Sequence, residues 1–218
     1  MQKIIRIVIV DDHAVLRDGL TAQIEREDGM AVVGQAGDAE TAIDLVVKHQ
    51  PDIVLMDIDL PGLNCFAAAR TMAARLPQTR VVFLSAYDHD RYIDQALAVN
   101  AWGYLTKGES FRAVRDAIRA VASGRVYYSD DIKSRLVAHG EGFKLAQTEK
   151  TRVSTLSERE LEVIQYVARG LSVKGIAEIM HISAKTVDNH KSNIMSKLDI
   201  HDRVELARFA MREGIASP

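Results

Sequence analysis

The stretch that decides the fold is "RIVIVDDH", residues 6–13, in which an apolar run ends at two adjacent carboxylates. A short apolar run bounded by polar residues is typical of a buried strand in a parallel sheet. Adjacent carboxylates repel each other, and burial beside an apolar core makes their charged forms more costly. The pair therefore predicts a positively charged partner at the end of this strand.

The same alternation of an apolar run and an amphipathic segment continues up to residue 123. The apolar runs predict five strands, at Ile4–Val10, Val32–Ala36, Ile53–Met56, Val81–Leu84 and Gly103–Leu105. The amphipathic segments predict five helices, at Leu16–Glu27, Ala39–Lys48, Cys65–Leu76, Arg91–Val99 and Ser110–Ser123. Five strand–helix repeats indicate an α/β domain, with a parallel sheet covered by helices on both faces.

The pattern changes after residue 128. Residues 129–153 are mixed and polar, and we expect a linker there with at most one helix, at Asp130–His139. Residues 154–218 show helical signals throughout, beginning with a capping box of Ser157 and Glu160. We therefore expect a small all-α domain of four helices over residues 154–218.

Composition limits the classes of protein. The single cysteine, Cys65, excludes an intrachain disulfide and a multi-cysteine zinc site. No signal peptide and no apolar run of about 18 residues is present, which predicts a cytoplasmic protein without a membrane partner. Residues 154–218 carry nine basic and nine acidic side chains, so a nucleic-acid interface there must depend on where the charges lie.

Polar side chains follow four of the predicted strands. Asp11 and Asp12 follow the first strand, Asp57 the third, Ser85 the fourth and Lys107 the fifth. Ligands of such sheets bind beyond the carboxyl ends of the strands, so these side chains should share one rim. Three carboxylates favour a hard divalent cation, with Mg²⁺ as the expected ion. One carboxylate can then act as a nucleophile toward phosphorus.

The segments "VDDH", "VLMDIDLPG", "FLSAYD" and "GYLTKG" resemble those of the receiver domain of bacterial two-component response regulators, over residues 1–128. The resemblance implies a flavodoxin-like, five-stranded parallel sheet. It also implies that Asp57 accepts a phosphoryl group, which Ser85 and Lys107 contact, and that Tyr104 is a switch residue. Mg²⁺ would be held by Asp11, Asp12, Asp57 and the backbone carbonyl of Asp59.

The predicted third helix of the C-terminal domain is capped by Ser183 and has two faces. Val187, Ile194 and Leu198 form an apolar stripe for the domain core, and polar side chains occupy the opposite side. This pattern fits a helix-turn-helix, whose second helix reads DNA bases. The segment from residue 156 to 198 resembles the LuxR-type helix-turn-helix of the NarL/FixJ subfamily. The candidate DNA contacts are Lys174, Lys185, Thr186, Asp188, Asn189, His190, Ser192, Asn193 and Lys197.

Within this set, Lys174, Lys185 and Lys197 are expected to contact phosphates. His190 either contacts phosphate or packs within the domain. The acids of the first helix, Glu158, Glu160 and Glu162, are expected to be solvated and away from DNA. Two departures from the LuxR pattern, Asp188 and the segment "VKG", bear on which DNA sequence is read rather than on whether DNA is bound.

Together these features predict a DNA-binding transcription regulator rather than an enzyme, apart from slow self-phosphorylation and dephosphorylation at Asp57. The expected partners are a sensor histidine kinase, double-stranded DNA with inverted half-sites, a second copy after phosphorylation, and RNA polymerase as a further candidate. Two alternatives are a receiver-type regulator that works without phosphate and a phosphohydrolase of the haloacid dehalogenase type. The aspartates at the first strand could also cap a helix, and Tyr104 could be a core aromatic.

Overall fold

The computed structural model describes residues 3–140, 142–146, 152–213 and 215–216, without the side chains of residues 152, 154 and 158. The chain divides into two compact units, Met1–Ala146 and Gln147–Pro218. Across the described residues, no helix combines the length and the apolar character that a membrane span requires.

The first unit is built on a parallel sheet. Its strands are β1 (Ile5–Val10), β2 (Met30–Ala36), β3 (Ile53–Asp57), β4 (Arg80–Ser85), β5 (Gly103–Thr106) and the two-residue β6 (Tyr127–Tyr128). The strand order is β2-β1-β3-β4-β5-β6. The first five strands follow the flavodoxin-like order, so the expected fold is confirmed, with a short sixth strand added at the edge.

Five helices cover the two faces of this sheet, because each has one apolar side. They are α1 (Ala14–Ile24), α2 (Ala39–His49), α3 (Cys65–Arg75), α4 (Asp90–Ala98) and α5 (Phe111–Ala122). One apolar core contains buried side chains of α1 and α5, and the other contains those of α2, α3 and α4. Helices on both faces leave the carboxyl ends of the strands as the open edge, where the site lies.

Arg80, the first residue of β4, joins the sheet to the end of α5. Its guanidinium carbon lies 4.4 Å from the ring centroid of Trp102. The same guanidinium donates hydrogen bonds to the carbonyls of Val121 and Ala122, the second at 3.0 Å. Cations attract the face of an indole ring, and carbonyls at the C-terminal end of a helix accept from cations. This contact fixes α5 against the sheet edge.

The structure differs from the expected linker at 129–153, since residues up to Ala146 belong to the first unit. Helix α6 (Asp130–Lys133) covers only the start of the expected helix. It is followed by an antiparallel hairpin of β7 (Leu136–His139) and β8 (Gly142–Leu145). The segment folds because apolar side chains anchor it: Ile132 and Leu145 are buried in the core of the first unit. Residues 147–151 lie outside the described residues.

The second unit is helical, as expected. A 3-10 turn (Arg152–Thr155) precedes α7 (Glu158–Ala168), α8 (Val173–Ile179), α9 (Ala184–Leu198) and α10 (Arg203–Arg212). Ser157 and Glu160 form the expected capping box of α7. The side chains of Ser183 and Asp202 accept the N-terminal amides of α9 and α10. Such caps satisfy amides that have no partner within the helix, which explains why the helices begin at these residues.

Candidate functional site

The strand register brings the expected acidic rim together. Asp57 ends β3 opposite Leu84 of β4, and Ser85 ends β4 opposite Thr106 of β5. Asp11 directly follows β1, and Lys107 directly follows β5. Parallel strands end at the same edge, so four separate stretches of sequence deliver their polar side chains to one place.

Lys107 bridges two of the acids. Its Nζ lies 2.7 Å from Asp57 Oδ2 and 2.7 Å from Asp11 Oδ2. The two carboxylate side chains are only 2% and 3% exposed, and the lysine side chain is 17% exposed. The ammonium group is thus shared between two buried carboxylates, and it supplies the positive partner that the acid pair at the end of β1 requires.

Two pKa shifts follow from this arrangement. Burial raises the pKa of Asp57, and the nearby charge of Asp11 raises it further, against the opposing effect of Lys107. Burial alone would lower the pKa of Lys107, but the hydrogen bonds and charges of Asp11 and Asp57 raise it overall. A buried charge is stable when opposite charges contact it, so this lysine stays protonated.

Asp12 lies farther out, beside His13. The carboxylate side chain of Asp12 is 39% exposed, and its Oδ1 lies 2.7 Å from His13 Nδ1. Ligand atoms of Asp11, Asp12, His13 and Asp57 all lie within 4.8 Å of one another. His13 is not among the site residues predicted from the sequence, although its direct adjacency to the acid pair is a signal that could have included it.

The donor set suits a hard divalent cation. Three carboxylates converge on one point of the rim, and their oxygens are the ligands that Mg²⁺ prefers. The residues present therefore fit a magnesium site at Asp11, Asp12 and Asp57. Asp59 lies two residues beyond β3 in the loop that follows it, and the role of its backbone carbonyl stays a prediction.

Ser85 and Tyr104 share a hydrogen-bonding partner, Tyr87. Both are fully buried. Ser85 Oγ accepts a hydrogen bond from the Tyr87 amide at 2.9 Å, and the Tyr104 hydroxyl donates to the Tyr87 carbonyl at 2.8 Å. Burial raises the pKa of Tyr104, so its hydroxyl remains a donor. The amide and the carbonyl of Tyr87 are thus both hydrogen-bonded to residues that were predicted for the site from the sequence.

The second candidate surface is the polar side of α9. Val187, Ile194 and Leu198 are fully buried in the core of the second unit, as the helical pattern predicts. The polar candidates of α9, together with Lys174 on α8, lie wholly or partly on the surface: Lys174, Lys185, Asp188, Asn189, Ser192, Asn193 and Lys197 are exposed, and Thr186 and His190 are half-buried. The helix therefore presents amide, hydroxyl and amine groups suited to base edges and phosphates.

Lys197 differs from the other lysines of this set. Its Nζ lies 2.7 Å from Glu160 Oε2, on α7. Glu160 is 3% exposed, so the expectation that this acid is solvated is wrong. The same carboxylate oxygen accepts from the Ser157 amide at 2.7 Å and the Ser157 hydroxyl at 2.9 Å. Lys197 thus neutralises a buried acid, an alternative to the phosphate contact expected from the sequence.

Comparison with known proteins identifies both units. The family model of the response regulator receiver domain matches residues 7–119, and that of bacterial regulatory proteins of the luxR family matches residues 154–210. The transcriptional regulatory protein DegU of Brevibacillus brevis is 35% identical, over 96% of this chain and 94% of its own length. The response regulator UvrY of Escherichia coli is 33% identical, over 98% and 96%.

Solved structures agree. A two-component response regulator of the LuxR family from an Aurantimonas species matches at 35% identity with a TM-score of 0.58, over 61% of this chain and 94% of that chain. RcsB of Salmonella enterica serovar Typhimurium, bound to a promoter with a phosphomimetic, has a TM-score of 0.69 over 95% of this chain and 98% of that chain. Its 19% identity supports the fold alone.

The chain therefore belongs to the bacterial response regulators, in the group that joins a receiver domain to a LuxR-type helix-turn-helix domain. Its curated relatives are DNA-binding transcriptional regulators. The alternative of a haloacid dehalogenase-type phosphohydrolase has no support from this family.

Proposed function

We propose that this response regulator is controlled by phosphorylation of Asp57, with a sensor histidine kinase as the donor. The observation that carries the proposal is the bridge from Lys107 Nζ to Asp57 and Asp11, each at 2.7 Å. It holds a buried carboxylate and a cation together at the open edge of the sheet. A receiver domain implies a kinase as phosphoryl donor.

The chemistry is a transfer between a kinase histidine and an aspartate. An oxygen of Asp57 forms a bond to phosphorus while the phosphorus–nitrogen bond to the kinase histidine breaks, and that histidine takes up a proton from solvent and leaves as neutral imidazole. Mg²⁺ held by Asp11, Asp12 and Asp57, with the carbonyl of Asp59, would neutralise charge on the phosphoryl oxygens. Lys107 pairs with one of these oxygens, and Ser85 Oγ turns from the Tyr87 amide to another.

The output is DNA binding by the second unit. Lys174 and Lys185 contact phosphates, and the polar side of α9 enters the major groove to read base edges. Phosphorylation shifts the receiver toward a conformation, reported by Tyr104, in which two copies associate. A two-fold dimer suits inverted half-sites in double-stranded DNA, with RNA polymerase as a further partner. Because the protein acts on DNA, we place its site of action in the bacterial cytoplasm.

Formation and loss of the phosphoryl group at Asp57 in the absence of other proteins are slow self-reactions in this proposal. The protein turns over no separate substrate, which makes it a signal transducer. The phosphate-independent alternative shares the same DNA surface and differs in one respect: Asp57 would have no influence on dimerisation or DNA affinity.

The test is intact-protein mass spectrometry after incubation with acetyl phosphate and Mg²⁺. The wild type should gain the mass of one phosphoryl group, and Asp57→Ala should gain none. Asp18→Asn, at an exposed acid of α1, is the matched control and should behave like the wild type. An unmodified wild type, or an equal gain in Asp57→Ala, contradicts phosphorylation at this site.

The second arm measures association and DNA affinity with and without beryllofluoride. The wild type should shift toward dimers and bind DNA more tightly when beryllofluoride is present, and Asp57→Ala should not respond. Identical behaviour of the two proteins in both conditions would favour the phosphate-independent regulator.

A further inference from the structure

The hairpin of β7 and β8 is attached to the junction between the β4–α4 loop and α4. Arg135, the residue before β7, donates from Nη1 to Asp90 Oδ1 at 2.8 Å and from Nη2 to the Asp88 carbonyl at 2.6 Å. The arginine and Asp90 side chains are 32% and 33% exposed. Two donors of one planar group therefore bind one acceptor in the loop and one on the first residue of α4, a paired contact that arginine favours.

Apolar contacts hold the rest of the hairpin to the same region. The rings of Tyr128 and Phe143 meet edge to face with centroids 5.9 Å apart. Leu145 is 7% exposed and belongs to the core cluster that also contains Tyr92 of α4 and Tyr104. The Ala146 amide donates to the Arg135 carbonyl at 2.7 Å and closes the base of the hairpin. The hairpin is thus packed on the first unit and anchored at its base.

The loop that Arg135 grips is also the loop that contacts the phosphoryl site. Ser85, at one end of it, accepts from the Tyr87 amide, and Tyr104 donates to the Tyr87 carbonyl. Asp88, the next residue, gives its carbonyl to Arg135. A single short segment, residues 85–90, therefore carries hydrogen bonds to the candidate site at one end and to the hairpin at the other.

We propose that Arg135 acts as a clamp that couples the phosphoryl site to the β7–β8 hairpin. When Ser85 turns toward a phosphoryl group on Asp57, the Tyr87 amide loses its acceptor and the loop moves. The acceptors at Asp88 and Asp90 then leave their positions under Arg135, and the hairpin loosens. This inference rests on the proposed phosphorylation of Asp57.

The hairpin lies next to the second unit in the chain, so loosening it affects the connection between the two units. It is the last element of the first unit, and from Ala146 the chain passes into the second unit. Loosening the hairpin releases its anchored residues to lengthen the tether of the DNA-binding domain. Loss of a few contacts at such an element is sufficient to change its local opening without unfolding the unit.

The experiment is hydrogen exchange with mass spectrometry on the full chain, with and without beryllofluoride and Mg²⁺. In the wild type, amides of 136–146 should exchange about tenfold faster when beryllofluoride is bound, while those following Asp57 become protected. Arg135→Met should exchange fast at 136–146 in both conditions. Lys144→Met removes an exposed charge from the same hairpin and should behave like the wild type.

The outcomes separate this inference from the proposed function. Protection near Asp57 with unchanged exchange at 136–146 overturns the clamp and leaves the phosphorylation proposal standing. A resting Arg135→Met hairpin that exchanges as slowly as the wild type also overturns the clamp. Absence of both protection near Asp57 and a phosphoryl adduct with acetyl phosphate overturns the proposed function and the coupling together.

Discussion

The acidic rim of the first unit and the polar side of α9 both carry charged residues, but in opposite physical states. On the rim, Asp11, Asp57 and Lys107 are mostly removed from water and contact one another. On α9, Lys185, Asp188 and Asn189 are exposed. The rim is therefore assembled before any ligand arrives, whereas the α9 surface gains its contacts from the ligand.

This difference decides what substitutions should do. A change on the rim disturbs charges that stabilise each other, so it should alter the stability of the fold as well as function. A change on the exposed side of α9 should alter binding with little effect on stability. Glu160 and Lys197 form a pair in the second unit that crosses this division, because one partner is buried and the other was expected to bind DNA.

The largest effect is expected for Lys107→Met. It leaves Asp11 and Asp57 buried without their shared cation, and removing one partner of a buried ion pair costs about 3–5 kcal/mol. Calorimetry should show the transition of the first unit at lower temperature, with the second unit unchanged. Because Mg²⁺ can neutralise the same carboxylates, adding it should restore part of the loss.

Lys48→Met, at an exposed lysine of α2, is the control for Lys107→Met and should leave both transitions in place. Equal transitions in Lys107→Met and wild type would show that the rim does not depend on its internal charges. The proposed difference between the rim, whose charges stabilise each other, and the exposed side of α9 would then be wrong.

The second effect concerns Glu160→Gln in the second unit. The glutamate accepts charge-assisted hydrogen bonds from Ser157 and Lys197. Loss of one hydrogen bond to a charged group costs about 1.5–3 kcal/mol. The free energy of unfolding of the second unit should fall by about that amount in a denaturant titration. Glu178→Gln, an exposed acid of α8, should change it little. Equal losses of unfolding free energy in Glu160→Gln and Glu178→Gln would mean that the buried contacts of Glu160 do not stabilise the second unit.

The pH dependence of this pair follows from the pKa of Glu160. Burial alone would raise that pKa, but Lys197 and Ser157 lower it overall. A lowered folded-state pKa contributes stability above the unfolded value of about 4.3, and that stability is lost as the pH falls through the folded value. The difference in unfolding free energy between wild type and Glu160→Gln should therefore be constant near pH 7 and shrink below about pH 4.3. A constant difference down to pH 3 would contradict the shift.

The smallest effect separates Lys185 from Lys197, two of the three lysines of α9, by the salt dependence of DNA binding. A lysine that contacts phosphate releases a counterion, so its removal should lower the magnitude of the slope of log affinity against log salt by about 0.9. Lys185→Met should show this change on a mixed-sequence DNA duplex. Lys197→Met should keep the wild-type slope, because its ammonium group is already paired with Glu160. Equal slope changes would return Lys197 to the set of phosphate contacts.

The rim could be predicted from the sequence because its signals are local. Each of Asp11, Asp57 and Ser85 stands at the end of an apolar run, and parallel topology places those ends together. The sequence could not show that Lys107 bridges Asp11 as well as Asp57, because side chains 96 and 50 residues apart meet only in the folded unit. Which of several acids a lysine contacts depends on packing.

Glu160 and the hairpin show why the remaining features were missed. The sequence predicts Glu160 as a capping residue, but its contact with Lys197 joins two different helices and leaves no local signal. The hairpin has strands of four residues, too short for a period-2 pattern to stand out. Gly140 and Gly142 near its turn were a signal for a hairpin rather than for a linker.

Trp102 and its contact with Arg80 give the molecule a built-in optical probe. It is the chain's sole tryptophan and lies in the first unit, with a guanidinium 4.4 Å from its ring centroid. When indole is excited selectively, the fluorescence therefore comes from Trp102 alone, next to the end of α5, and the second unit does not contribute to it. Thermal unfolding of the two units can therefore be followed separately in one sample. Tryptophan fluorescence reports the first unit, and the helical ellipticity that remains after its transition reports the second unit.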